Sequence, residues 1–322
     1  LAQLEEGGPE LAVEDTGGDA AKTRAAVDAL VGNQGVIAVL GPVDSRTTEA
    51  AAEAARRSGV PLLSFSASDA VTSAGDEVFR LMYSPRDELS ALVRNARSRR
   101  LSRFVILYPD HGYGRTLERL FDQEVSAAGG VACEGVAYPP GTKSFVDYVR
   151  TVLETTCDVV LLADVADQVA LIAPTFAAEG AWSVGDGTLP EHAEREVHFL
   201  LPSPSWSPAL LSRAGRYLQG ALIALPFYDA SETAVSEHFR AAYETRYGTP
   251  PQTFAAYGYD AYRMISATLR HGHQTREALT EALKAGASVT PVTSVGALSS
   301  ERVPANPPSV YRVTGDVLRP AN

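Results

Sequence analysis

Two cysteines, two methionines, two tryptophans and six histidines are all that this 322-residue chain carries of those types. With only Cys133 and Cys157, at most one disulfide is available. The histidines form no HExxH pair and no ligand-spaced cluster with cysteine, so no metal is expected. A G-x-S-x-G elbow, a P-loop and a G-x-G-x-x-G turn after a strand are all absent, so no enzyme class or cofactor is indicated. No apolar run approaches the ~18 residues of a membrane helix, so this chain is not expected to insert in a membrane. Basic residues are also short, with 28 Lys and Arg against 39 Asp and Glu. The resulting net charge of -11 and pI near 5.1 argue against nucleic acid and against an anionic membrane surface.

What is present is a globular composition, 45% hydrophobic and 21% charged. The length suffices for two lobes with separate cores. The chain opens at Leu1 without Met. That reads as a processed start whose targeting segment is gone, which makes the lack of a signal peptide uninformative.

The stretch Val36 to Ser68 carries the most information. Val36-Ile37-Ala38-Val39-Leu40 is a continuous apolar run ended by Gly41-Pro42. Ser45 then opens a helical stretch, Thr48 to Arg57, that stops at Gly59. A second apolar run, Val60 to Leu63, leads into Ser64-Phe65-Ser66-Ala67-Ser68. Unalternated runs separated by a helix read as parallel strands buried on both faces. Right-handed crossovers then bring both loops to one carboxyl edge, where open α/β sheets bind ligands. Hydroxyls, backbone N–H groups and a helix N-terminus suit a carboxylate or another small anion. No nucleophile and base accompany them, so a binding site is expected rather than a catalytic one.

The rest of the chain alternates strand and helix. Leu11 to Asp15 is an expected strand, followed by a turn at Thr16-Gly17-Gly18-Asp19 and a helix burying Thr23, Val27, Leu30 and Val31. Val78 to Met82 is another strand, and Ser84-Pro85-Arg86-Asp87 starts a helix burying Leu89, Leu92, Val93 and Ala96. A second unit begins at Phe104 to Tyr108, with the loop Pro109 to Gly114 and a helix burying Leu117, Leu120, Phe121 and Val125. Strands at Val131 to Tyr138 and Asp158 to Ala163 and helices at Ser144 to Leu153 and Asp167 to Ala178 continue the pattern. Gly185 to Glu196 reads as a loop, then His198 to Leu201 and Gly220 to Phe227 as strands. Helices follow at Glu232 to Tyr247, Phe254 to Leu269 and Arg276 to Ala285, and the end of the chain is β-like at Val292 to Leu298 and Ser309 to Val313. Alternation of this kind argues for parallel sheets with helical crossovers. Cys133 lies within an expected strand and Cys157 just before the next; those strands would flank Phe104 to Tyr108, too far apart for the ~4.4–6.8 Å of a bridge, so free thiols are expected.

An ordered set of short motifs carries a family resemblance: Val60-Pro61-Leu62-Leu63-Ser64, Val78-Phe79-Arg80, Tyr113-Gly114, Ala128-Gly129-Gly130, Tyr138-Pro139-Pro140 with Phe145, and Tyr257-Gly258-Tyr259-Asp260-Ala261. The chain resembles the type I periplasmic binding proteins, in particular their leucine/isoleucine/valine-binding branch. Thr16 to Asp19 and Pro208 to Gly220 also resemble the penicillin-binding-protein activator lipoproteins. The resemblance implies two Rossmann-like lobes with parallel sheets, joined by a three-strand hinge near Tyr83-Ser84-Pro85 and Phe227-Tyr228-Asp229, with ligand held between them. Lobe one would take 1–83 and 228–292, lobe two 84–227 and 293–322. The family's first strand and most of its first helix would precede Leu1.

By the same resemblance Ser45 and the loop Ser66-Ala67-Ser68 would hold a ligand carboxylate, and Tyr113 would face the ligand from lobe two. An aromatic usual in the family falls near Val165 or Ala166 here. The acid that usually takes the ligand's ammonium falls at Ser203. Their loss argues against a tightly held ammonium and weakens branched-chain amino acids as candidates; Asp164 and Asp186 are the acids left to substitute. Structural roles stand beside these: Ser45 as an N-cap, Ser66 and Ser68 as loop hydroxyls, Tyr113 as a packing residue, and Tyr257, Tyr259 and Tyr262 as core. Asp110 and His111 lie near Tyr113 without a nucleophile.

The implied function is an extracytoplasmic solute-binding protein of an ABC-type importer. Its partners would be a small polar carboxylate or amino-acid-like ligand and a membrane permease, and its location periplasmic, with lipid anchoring through a removed segment left open. Two alternatives share the fold: an activator-like interaction module and a receptor sensor domain.

Overall fold

A computed structural model of the protein describes residue 2 and residues 8–32 and 35–321. It is mixed α/β, with the chain passing three times between two compact units: Leu1–Ser84 with Pro226–Pro307, and Pro85–Leu225 with Pro308–Asn322. Each has its own sheet.

The first unit is built on three parallel strands in the order β1 (Val39–Leu40), β2 (Leu62–Ser64), β3 (Val78–Arg80). Successive side chains of a strand point to opposite faces, so an unalternated apolar run must be covered on both. Leu62 and Val78 pack with Val39, Ala51 and Ala55 and with Val27. These alanines belong to α2 (Ser45–Ser58) and Val27 to α1 (Ala20–Gly32). Leu63 and Phe79 face the other way, onto Tyr257, Ala261, Met264, Leu279 and Leu283 of α9 (Thr253–Arg270) and α10 (Arg276–Lys284). Ahead of α9, α8 (Ala234–Tyr247) contributes Phe239, whose ring lies 4.6 Å from that of Tyr259. Tyr257, Tyr259 and Tyr262 are all buried, as their near-helical spacing implies.

The second unit has an eight-stranded sheet whose parallel centre is β11 (Leu222–Leu225), β10 (His198–Leu201), β7 (Val159–Leu162) and β4 (Arg103–Pro109). Beyond β4 lie β5 (Val131–Ala132) and β6 (Val136–Tyr138); beyond β11 an antiparallel hairpin, β12 (Ser309–Thr314) and β13 (Val317–Pro320). One face of this sheet packs on α3 (Pro85–Ser98) and α4 (Gly112–Ala127) through Leu89, Leu92, Leu117 and Phe121. The other turns Phe199 onto Phe176 of α6 (Ala166–Ala178), ring centroids 5.2 Å apart. Helix α5 (Val146–Glu154) precedes β7, and α7 (Pro208–Ala214) lies between β10 and β11. A two-stranded ribbon, β8 (Ala181–Trp182) with β9 (Arg195–Glu196), completes the unit.

Five expectations need correction. Leu11 to Asp15 is not a strand; it runs unpaired along a cavity of about 580 Å³ beside β1, with Val13 86% exposed. Val292 to Leu298 is not a strand either; its first two amides are taken by a side chain. Both Asp260 oxygens accept from Val292 N (2.9 and 3.1 Å), and Oδ2 also accepts from Thr293 N (2.8 Å). With Val295 and Leu298 in the same core as Leu63 and Phe79, residues 293–307 join the first unit instead of the second.

The strand expected at Val131 to Tyr138 is broken at Cys133 to Gly135. A Cβ at Gly135 would lie 3.0 Å from the Ile106 side chain and 3.1 Å from the Tyr108 ring, so the chain there lies close against β4. The break also overturns the reading of free thiols: Cys133 and Cys157 form a disulfide with Cα atoms 6.2 Å apart. Both lie just outside regular strands, Cys133 in the break and Cys157 ahead of β7, where ladder spacing does not govern their separation.

Candidate functional site

The loops after β1 and β2 leave the carboxyl edge of the first unit's sheet and carry a chain of hydroxyls. Asp44, rather than Ser45, caps α2: its Oδ1 accepts from Thr47 N at 3.0 Å. Those bonds from Thr47 hold the Asp44 carboxyl below the usual carboxylate range. Ser45 is therefore the first helical residue, exposed and released from capping, and its Oγ lies 3.2 Å from Ser66 Oγ. Ser66 is buried; its Oγ accepts from Ser68 N at 3.3 Å, and its own N–H donates to Ser64 Oγ at 3.0 Å. Behind them Ser64 Oγ meets Thr48 Oγ1 at 2.8 Å, and Thr48 donates to Asp44 O. The expected residues Ser45, Ser66, Ala67 and Ser68 are thus brought onto one network, with Ala67 half-buried between the two serines. Asp44 already occupies the positive end of the helix dipole, so the free donors at this edge are hydroxyls more than helix amides.

In the second unit the loop after β4 opens α4. His111 Nδ1 accepts from Gly114 N at 3.1 Å, so this histidine caps the helix, and Asp110 pairs with Arg115. A Cβ at Gly114 would stand 2.0 Å from Pro109 O, so only glycine lets the helix start fold back onto β4. Tyr113 is turned outward, 43% exposed. Burial around its hydroxyl, with the charge of Glu88 second, pushes its pKa up to about 12.

Ser203 follows β10 at the same edge, and its partner is one that reading the sequence missed. Glu88, in the first turn of α3, accepts from Ser203 N (2.8 Å, Oε2) and from Ser203 Oγ (2.7 Å, Oε1). The carboxyl is 7% exposed, and burial pushes its pKa up to about 7 against the lowering effect of these two bonds. A signal for it existed: Glu88 precedes Leu92 by four, which puts an acid on the buried face of α3.

The two acids considered as substitutes lie elsewhere or are engaged. Asp186 forms a two-pronged pair with Arg312 (2.5 and 2.7 Å), and Arg312 stands opposite Leu222 at the start of β11, the amino edge of the sheet. Asp164 follows β7 at the carboxyl edge, but its Oδ2 accepts from Tyr138 (2.6 Å) and its Oδ1 from Val165 N (2.7 Å). Ser205 Oγ adds a bond to Asp164 O at 2.6 Å, so this corner is tied to the neighbouring loop. Among the described residues no group of three or more His, Cys, Asp and Glu is placed to hold a metal ion. No described helix is long and apolar enough to cross a membrane.

Among curated proteins none matches this chain. Among solved structures, a branched-chain amino acid ABC transporter protein from Rhodospirillum rubrum is 23% identical with a TM-score of 0.86, covering 99% of this chain and 90% of its own. A leucine-binding protein from Thermotoga maritima is 20% identical (TM-score 0.65; 99% and 89% covered). A solute-binding protein from R. palustris, solved with benzoate, is 17% identical (TM-score 0.67; 99% and 88% covered). At such identities these likenesses establish the fold. A family model described as periplasmic binding protein matches residues 9–316, and with the two-unit parallel α/β architecture and the ordered motifs this makes the chain a member of the periplasmic binding protein family.

Proposed function

We propose that this protein is an extracytoplasmic solute-binding protein that binds a small carboxylate-bearing or amino-acid-like molecule and delivers it to the permease of an ABC-type importer. One observation carries the reading. Ser45 is free of capping duty, exposed, and held 3.2 Å from Ser66 at a carboxyl edge, which leaves a cluster of hydroxyl donors with no structural task that needs the outermost of them. Ser45, Ser66 and Ser68, with the backbone of Ala67, would take the carboxylate; Tyr113 and Ser203 would be the second unit's contacts. Membership of a binding-protein family supports this, as do relatives solved with leucine and with benzoate. The disulfide fits a compartment outside the cytoplasm. His111 caps a helix and Asp110 pairs with Arg115, structural tasks that favour a binding role for this loop.

A calorimetric and thermal-shift screen tests the reading with L-leucine, benzoate and 3,4-dihydroxybenzoate, the molecules named with the solved relatives. A true ligand at a hundred times its Kd stabilises the fold by about 2.7 kcal/mol. Absence of any stabilisation across carboxylates and amino acids would overturn it.

A further inference from the structure

We propose that a cluster of arginines at the amino edge of the second unit's sheet is a docking surface for an acidic segment, rich in Asp and Glu, of a partner protein. Between Leu89 and Pro109 the chain carries Arg94, Arg97, Arg99, Arg100 and Arg103 and no Asp, Glu, Lys or His. Five positive charges are thus concentrated in a chain whose net charge is -11. Arg94 and Arg97 lie in the last two turns of α3, Arg99 and Arg100 in the turn that follows, and Arg103 opens β4. Arg97 reaches Ala128 O at 3.2 Å, ahead of β5, and Arg103 reaches Thr156 O at 2.8 Å, ahead of β7. The cluster therefore spans the amino ends of neighbouring strands, at the edge opposite Tyr113 and Ser203. It stands apart from the ligand reading above and does not depend on it.

Other exposed arginines of this molecule are paired: Arg57 with Asp28, Arg150 with Glu179, Arg213 with Asp167. Among the described residues none of these five meets a carboxylate. Arg94 donates to Ser90 Oγ (2.6 Å), Arg99 to Asn95 Oδ1 (3.0 Å) and Ala321 O (2.6 Å), and Arg103 to the Thr156 backbone and hydroxyl. The dipole of α3 favours positive charge in its last turn, which accounts for Arg97, held on Leu101 O and Ala128 O. It does not account for Arg94, a turn earlier, or for Arg103 on a strand. A guanidinium carries five N–H donors, so most remain free, and four of the five arginines are exposed. An acidic partner would relieve the mutual repulsion and meet forks already steadied by neutral acceptors, so little side-chain freedom is lost on binding. A bilayer or a nucleic acid extends past the cluster and would meet the acids that flank it, Glu154 and Asp158 on either side of Thr156 and Asp186 beside Arg312. A short acidic segment covers the arginines alone.

The test is fluorescence anisotropy of a fluorescein-labelled deca-L-glutamate peptide titrated with the full chain. It is run at about 10 mM and about 150 mM salt, between which the screening length falls from about 30 to about 8 Å. Wild type should bind at low salt and weaken at high salt. Arg94→Gln with Arg100→Gln, both exposed, should lower affinity about threefold or more, the size of two lost surface pairs. Arg56→Gln with Arg246→Gln makes the same charge change on exposed residues of the first unit and should leave affinity unchanged. Arg94→Lys with Arg100→Lys keeps the charge and should keep most of the binding. No binding at low salt overturns the proposal, as does an equal loss in the two glutamine pairs or a lysine pair as weak as its glutamine counterpart. Sedimentation with phosphatidylglycerol vesicles is the second arm. Wild type that binds vesicles but not the peptide, and loses the vesicles in Arg94→Gln with Arg100→Gln, makes the cluster a membrane surface and overturns an acidic protein partner. Thermal melts accompany every variant; should the glutamine pair fail to fold, Arg94→Gln alone carries the comparison, and unchanged affinity there overturns the proposal.

Discussion

The hydroxyls of Ser45 and Ser66 lie 3.2 Å apart, while the capping of α2 falls to Asp44. These two facts separate residues that are adjacent in sequence into different roles. Asp44→Ala should cost about 1 kcal/mol of stability, as loss of an N-cap does. Ser45→Ala should leave the midpoint of urea unfolding nearly unchanged. Ser45→Ala with Ser68→Ala should instead cost affinity, on the order of 2–5 kcal/mol if both bonds reach a charged carboxylate. Unchanged affinity in the double variant would remove these loops from the site.

Tyr113 and Gly114 are expected to separate in the same way. Tyr113→Ala removes an aromatic that is 43% exposed, so the fold should lose little while ligand affinity falls. Gly114→Ala would press a methyl against Pro109 O, 2.0 Å from the ideal Cβ position, and should lower the melting temperature by several degrees. A Tyr113→Ala protein that loses stability but keeps its affinity would mark Tyr113 as a packing residue.

Burial makes Glu88 a source of pH-dependent stability. Its folded pKa of about 7 stands above the ordinary 4.5, mainly through burial, with the charge of Asp87 adding to it and the Ser203 bonds opposing it. An acid whose pKa rises on folding stabilises the protein fully below its unfolded value and loses that contribution as pH climbs toward the folded one. The window is therefore pH 4.5 to about 7, and the change is on the order of 3 kcal/mol. Relative to wild type, Glu88→Gln should gain stability between pH 4.5 and pH 8, most of it below about pH 7, as read from urea midpoints. Asp87 and Tyr113 are the other titratable groups that bear on it. A flat difference between the two proteins would contradict the assignment.

The Cys133–Cys157 bridge closes a loop of 24 residues. In the chain-entropy model such a loop is worth about 3 kcal/mol. Cys133→Ser with Cys157→Ser, or reduction under mild denaturant, should lower the melting temperature by several degrees. Mass spectrometry of the untreated protein should find no alkylatable thiol.

Much of this molecule was legible in the residues. The apolar runs at Val36 to Leu40, Val60 to Leu63 and Phe104 to Tyr108 correctly announced parallel strands, because a strand covered on both faces has no reason to alternate. The helices with two-sided packing partners were equally plain. What failed to show were features whose partners lie far away in the chain. Glu88 finds Ser203 across 115 positions, and no local pattern joins them. Val292 to Leu298 looks like a strand, yet Asp260 intercepts its first two amides from 32 and 33 positions upstream.

Taken alone, the order of residues determined the α/β class, the alternation of strand and helix, the location of the loops that reach each carboxyl edge, and the family. Those follow from periodicity and from turn chemistry, which act over a few residues. Tertiary structure decided which of two neighbouring cap-competent residues caps α2, that Glu88 meets Ser203, and that the two cysteines meet. These depend on which buried polar groups find partners. A buried donor or acceptor left without a partner costs about 1–3 kcal/mol, so the packed chain settles the pairing once all its candidates are within reach.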